Sequence, residues 1–253
     1  MIQFSEAQLL AWLTPILWPF LRVLAVFSSA PVLSMREVPI RVRVGLSLFI
    51  AYAAQPSLPA QAIVPLDSNA IWGLVAQQVL IGLTLGFAAR VVFSAIEFAG
   101  ELIGLAMGLN FASFFDPTTG SGGTAISRLF GTTASWLFVV INGHLLIAAA
   151  VMQSFTAFPV SDQPLAFLSA LQPQQWGSEI FRLGLWIALP IVSMLLLVNF
   201  MMGLISRVAP QINVFAVGFP LTLSVGLVGL WASLPMMQDP FTAALERMLG
   251  YFQ

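Results

Sequence analysis

Lysine is missing altogether from this chain: all nine basic residues are arginine. There is accordingly no P-loop lysine, no Schiff-base lysine and no kinase lysine. Cysteine is missing too and histidine occurs once, which excludes a disulfide framework, a structural zinc site of Cys and His ligands, and a cysteine nucleophile. Charge of either sign is scarce. Charged residues make up 8% of the 253, against roughly 25% in soluble domains, while hydrophobic residues reach 59% and mean hydropathy is +0.95. Charge is what lets a folded surface face water, so lipid or other subunits must cover this one. A net charge of −1 leaves no footprint for nucleic acid, which needs clustered cations.

The N-terminus has no positive n-region of a secretory signal; Glu6 precedes the first basic residue, Arg22. Ser5 and Gln8 instead carry the spacing of a capping box that opens a helix, so the first apolar segment is expected to stay. Charges and prolines then divide the chain into about six apolar segments. Residues 9–33 are long enough to cross about 30 Å of hydrocarbon, yet hold Pro15, Pro19 and Arg22. Each proline removes a helix hydrogen bond, so a bent span is expected. In the second segment Pro39 stands at a plausible first helical position, Arg41 and Arg43 follow, and the unbroken apolar core is only 44–54. At 1.5 Å per residue that core covers about 16 Å, half a bilayer.

A proline-bearing loop, 55–69, follows. The third segment is apolar over 71–93 and continues as 94–109 with Glu97 and Glu101 inside it. A stretch rich in Gly, Ser and Thr, 116–124, interrupts the pattern. Segments four to six are 129–158, 180–205 with Pro190, and 214–237 with Pro220 and Pro235. The tail opens on Asp239 and Pro240 as N-cap and first helical residue, and its Phe241, Leu245, Met248, Leu249 and Phe252 suit a short amphipathic helix. With alternating segments, the odd connections hold Arg36, Arg41, Arg43, Arg90, Arg128 and Arg207, and the second and fourth hold no arginine. The positive-inside rule then puts the odd connections in the cytoplasm and the N-terminus outside. No repeat, low-complexity tract or soluble second domain is evident, and the chain reads as one unit, 1–253.

Three groups of residues stand out. Arg90, Ser94, Glu97, Glu101, Gly104 and Gly108 step by four, three, four, three and four, which places them on one helix face. Gly100, Gly104 and Gly108 form a GxxxGxxxG run, and Gly82 with Gly86 a second GxxxG. Small residues at that spacing admit close helix approach, either to a neighbouring helix of this chain or to another subunit. Two glutamates one turn apart repel, so at least one is expected to meet an arginine or to be protonated.

The stretch 107–124, MGLNFASFFDPTTGSGGT, is the most informative. Phe111, Phe114 and Phe115 precede Asp116 and Pro117, and Gly120, Gly122 and Gly123 follow. Such rings on a polar, glycine-rich connection must fill something: either they are interior packing, or they seal a pore in a loop that the glycines let swing. Without a P-loop lysine or a preceding strand it is no phosphate cradle. The third group, Arg207, Pro210, Gln211 and Asn213, joins two apolar helices; Arg207 meets a helix C-terminal dipole and Pro210 ends the helix. His144 reads as a structural histidine, and no acid pair or serine–histidine–carboxylate set lies in the spans, so no enzyme activity, cofactor or metal is expected.

MGLNFASFFDPTTG at 107–120, RVAPQINVFAVGFPL at 207–221 and the order of the apolar segments closely resemble the FliR family, export-gate subunits of the bacterial flagellar type III secretion apparatus. The likeness spans essentially the whole chain; the virulence (injectisome) relatives share the RVAPQ-type turn and depart around FASFFDP. It implies an all-α, membrane-derived bundle of kinked hairpins, with a FliP-like part at about 1–179 and a FliQ-like hairpin and amphipathic tail at about 180–253. It further implies a helical hetero-oligomer with FliP-like and FliQ-like subunits, contact with FlhB-like and FlhA-like subunits, and unfolded flagellar proteins as cargo. The assembly is expected in the inner membrane at the flagellar basal body, displaced toward the periplasm. The family's plug transfers onto 107–123, with Phe111, Phe114 and Phe115 sealing, Met107, Asp116 and Pro117 within the plug stretch, and Gly120, Gly122 and Gly123 as hinges. The competing reading is a stand-alone secondary transporter or channel with a re-entrant loop at 107–124.

Overall fold

The structure is a computed structural model that describes residues 6–59, 70–109, 123–161, 163, 165–211 and 214–253. Among these residues the secondary structure is helical, with no strand. The helices are α1 (Glu6–Ser29), α2 (Ile40–Ala54), α3 (Ala70–Ala106), α4 (Ala125–Val140), α5 (Gly143–Ala157), α6 (Ala166–Leu171), α7 (Gly177–Val208), α8 (Val214–Ser233) and α9 (Gln238–Gly250). Short 3-10 turns follow α2 and precede α7 and α9.

Among the described residues, four helical stretches are long and apolar enough to cross a membrane: Trp12–Ser29, Ile71–Ala106, Ala166–Val208 and Ala216–Gly250. A fifth exists if α4 and α5, bent by 69° at their junction, count as one broken span. The difference from six segments has local causes. α2 has 15 residues, about 22 Å of helix, short of the ~30 Å hydrocarbon core. In the fourth segment Asn142 takes a left-handed conformation, φ 57, which Asn tolerates better than most residues and which ends one helix before Gly143 begins the next. The third segment, by contrast, runs as a single 37-residue helix free of proline. The helices α1, α7 and α8 continue through Pro15 and Pro19, Pro190 and Pro220 respectively.

The chain groups into two compact units: Met1–Arg90 with Phe138–Trp176 and Leu245–Gln253, and Val91–Leu137 with Gly177–Ala244. The first has a core of Trp18, Val26, Ile81, Leu85, Phe155 and Phe252, each at most 1% exposed or fully buried. Gly82 and Gly86 face α1: a Cβ on Gly82 would overlap the carbonyl oxygen of Arg22, and one on Gly86 would overlap the Ser29 hydroxyl. The GxxxG spacing thus brings α3 against α1 within this chain. Around Trp176 an aromatic group gathers Phe87 (centroids 6.1 Å), Tyr251 (5.8 Å) and Phe252 (6.1 Å).

In the second unit the same device recurs. A Cβ on Gly184 would lie 2.7 Å from the Ala95 carbonyl oxygen, and one on Gly226 would lie 2.6 Å from Met107 Cγ. Phe98 meets Phe181 edge-on at 5.2 Å and Phe93 meets Phe241 at 5.5 Å, pairs worth about 0.5–1.5 kcal/mol beyond their buried area. The outward faces of α7 and α8 remain apolar, with Phe181, Trp186, Leu197, Phe200, Val228 and Trp231 exposed. α9 starts at Gln238 directly from the 3-10 turn Leu234–Met237, so Asp239 lies inside its first turn instead of capping it. Phe241, Leu245, Met248, Leu249 and Phe252 are all buried.

Candidate functional site

The stretch singled out in the sequence begins where α3 stops. Gly108, at φ 82, is the left-handed residue that a helix end needs. Its N–H donates to the Leu105 carbonyl at 3.0 Å, and that of Leu109 reaches the Gly104 carbonyl at 3.0 Å. This is the paired bonding of a Schellman C-cap. Gly108 therefore ends α3 and does not continue the helical face that runs through Gly100 and Gly104. Met107, just before it, is fully buried.

The far end of the stretch returns to the same end of α3. Thr124 precedes α4, and its hydroxyl accepts the Ser127 N–H at 3.1 Å, an N-cap bond. The Thr124 N–H in turn donates to Glu101 Oε2 at 3.0 Å. A capping box would supply that carboxylate from the third residue of the helix; here the third residue is Ser127 and the neighbouring helix supplies it. Ser127 Oγ also donates to the Glu97 carbonyl oxygen at 3.0 Å. Close approach makes this possible: a Cβ on Gly104 would lie 2.7 Å from Thr124 Oγ1, and one on Gly100 would lie 2.8 Å from Ser127 Cα. Gly123, at φ 70, starts the return.

The polar stripe is thus divided. Gly100 and Gly104 are buried and Glu101 half-buried against α4, whereas Arg90 and Glu97 are exposed in this chain. Beside the stretch lies a cavity of about 640 Å³, lined by Met107, Gly108, Asn199, Met202, Phe219 and Thr222 among others. Phe111, Phe114, Phe115, Asp116, Pro117, Gly120 and Gly122 lie outside the described residues, as does Asn213 of the hairpin turn. Of that turn, Arg207 lies in the last turn of α7 and is exposed, as are Pro210 and Gln211.

The sequence flagged Arg22 only as an oddity within a span; the structure makes it the centre of a buried network. Its side chain is fully buried. Nε and Nη2 both donate to Gln78 Oε1, at 2.9 and 2.6 Å, Nη1 donates to Ser154 Oγ at 2.9 Å, and Nη2 also reaches the Phe158 carbonyl at 3.0 Å. The guanidinium lies 3.6 Å from the Phe155 ring centroid. Gln78 donates on to Gln77 Oε1 (3.1 Å), and Gln77 bonds Ser161. The sequence signal that the apolar reading of 71–93 passed over is the Gln77–Gln78 pair within that run. Among the described residues no carboxylate neutralises this charge; neutral acceptors and a ring face hold it.

Apolar spans, helix packing through glycine and an interrupted helix pair define a helical membrane protein with no metal-ligating cluster among its described residues. The profile of the family described as "Bacterial export proteins, family 1" matches residues 13–248. The chain is similar to "Flagellar biosynthetic protein FliR" of Escherichia coli (strain K12), 43% identical over 241 residues that cover 95% of this chain and 92% of that protein. The same-named protein of Pectobacterium carotovorum subsp. carotovorum is 40% identical, covering 97% and 93%. That of Bacillus subtilis (strain 168) is 28% identical, covering 90% and 91%. This chain belongs to the FliR family of flagellar export proteins.

Proposed function

We propose that the chain forms part of the inner-membrane channel through which unfolded flagellar subunits are exported, and that its segment 107–123 closes that channel at rest. One observation carries the second half. Both ends of the segment are held at the same end of α3, the first by the Schellman cap at Gly108 and the second by the Glu101 bond to Thr124. A loop pinned this way has fixed roots. The middle carries Phe111, Phe114 and Phe115, which would seal, and Gly120, Gly122 and Gly123, which would let it swing aside.

In this reading the apolar outer faces of α7 and α8 meet FliP-like and FliQ-like sister subunits as well as lipid, with the α7–α8 hairpin playing the FliQ-like part. FlhB-like and FlhA-like subunits adjoin the assembly. Gating involves no bond chemistry: cargo displaces the loop and passes. Deleting 111–123 in cells should leave the chain co-purifying with its sister subunits and make the membrane leaky to small ions. An assembled complex that stays ion-tight without these residues would overturn the closing role.

A further inference from the structure

α2 is apolar around most of its circumference, yet it buries only Ser47 and Ala51. Successive helical residues turn by about 100°, so the exposed Val42, Val44, Leu46, Leu48, Phe49 and Tyr52 cover more than half of it. A helix of that kind is not left to water.

Its charge sits at one end. Arg36, Arg41 and Arg43 lie within eight residues with Glu37 as the one acid among them. Arg36 and Arg41 are exposed, and their side chains bond to no other described residue. Arg43 donates to the Met35 carbonyl through Nη2, while its Nε is buried with no acceptor among the described residues. The helix N-terminus points the same way: Pro39 caps it without a side-chain bond, and its first turn holds no acid. Two arginines there oppose the positive end of the helix dipole. Arginines, a buried unanswered N–H and an uncapped N-terminus thus converge where nothing negative offsets them except Glu37.

We propose that this end of α2 docks the phosphate of an anionic phospholipid, whose acyl chains lie along the apolar flank. The planar guanidinium fork suits phosphate oxygens. The distribution favours lipid over an acidic protein partner: charge is confined to one end, and the exposed apolar side chains spread over more than half of the circumference, wider than the strip one partner helix covers. That axial order matches a headgroup followed by its tails.

The test uses the full-length protein in neutral detergent, with phosphatidylglycerol or phosphatidylcholine added and retention read by native mass spectrometry. Phosphatidylglycerol should be kept preferentially. An arginine beside an anionic membrane surface contributes about 1 kcal/mol, so R36Q/R41Q should weaken phosphatidylglycerol binding roughly thirty-fold. Because neither side chain bonds within the chain, its melting temperature should not change. Arg247→Gln, an exposed arginine elsewhere, should leave binding unaltered. Equal retention of the two lipids, undiminished binding in R36Q/R41Q, or an equal loss in Arg247→Gln would overturn the proposal. So would a photo-crosslinker at position 41 that captures only protein in cells.

Discussion

Replacing Arg22 by methionine tests how the first unit is held together. Methionine keeps most of the volume and removes every donor. Gln78 Oε1, the Phe158 carbonyl and one lone pair of Ser154 Oγ then lose their partner. Ser154 still donates to the Val151 carbonyl, and Gln78 still donates to Gln77, so the rest of the network survives. Each orphaned acceptor costs about 1 kcal/mol at the low end of the range, or roughly 3 kcal/mol for three. The ring contact with Phe155 adds to the loss, and the guanidinium no longer having to be dehydrated offsets part of it. A net loss of about 3 kcal/mol corresponds to a melting temperature lower by roughly 6–12 °C in a chain of this size.

Two comparison variants separate the causes. Arg22→Lys keeps the charge but cannot fork onto Gln78, so it should be no more stable than Arg22→Met. R22M/Q78L removes donor and acceptor together and should recover at least about 1 kcal/mol relative to the sum of its single changes. The assay is thermal unfolding in detergent micelles, with co-purification confirming that each variant folds. A lysine variant as stable as the parent would refute the reasoning, because a point charge would then do what the fork is said to do. Strict additivity in the double variant would refute it as well.

The close approach of α3 to α1 predicts that Gly86→Leu prevents folding and that Gly82→Ala costs about 1–3 kcal/mol, since backbone must move to admit the new Cβ; equal melting of Gly82→Ala and parent would contradict this. Glu101→Ala should speed hydrogen exchange at the Thr124 amide about tenfold or more, whereas Glu101→Gln, whose amide oxygen can still accept, should change it less. Identical exchange in the alanine variant would show that the carboxylate does not hold that end.

Helix positions were legible because apolar runs in so uncharged a chain have few alternatives, and the glycine pairs announced the close contacts that Gly82, Gly86, Gly100 and Gly104 make. Two local events were not. Gly108 continues the four-residue step of Gly100 and Gly104, so spacing alone assigns it to the helix; only the two bonds across the end, to Leu105 and Gly104, mark it as the cap. Asn142 lies in an apolar run that reads as one span, and nothing in the period of that run reports a residue turning to φ 57. Of the site, the roots of the 107–123 stretch became visible only once Glu101 met Thr124. Periodicity places Glu101 on a face but not the partner 23 residues away.

Arg22 shows why the chain's scarce charge constrains its folding. A guanidinium in a lone helix within hydrocarbon is costly, and few such groups persist without partners. Here the partners come from α3, from the last turn of α5 and from the residue after it: Gln78 is 56 positions away, Ser154 132 and Phe158 136. α1 therefore cannot satisfy its arginine until α5 has been made and has docked. The same helix packs through Gly82 and Gly86 at backbone distance, which leaves no lipid between α1 and α3 on that face. Local apolarity inserts α1, but its settled position depends on contacts closed more than a hundred residues later. The first unit should accordingly acquire protease resistance only once Phe158 has been synthesised, and an Arg22→Leu chain should lose that dependence while melting lower than the parent.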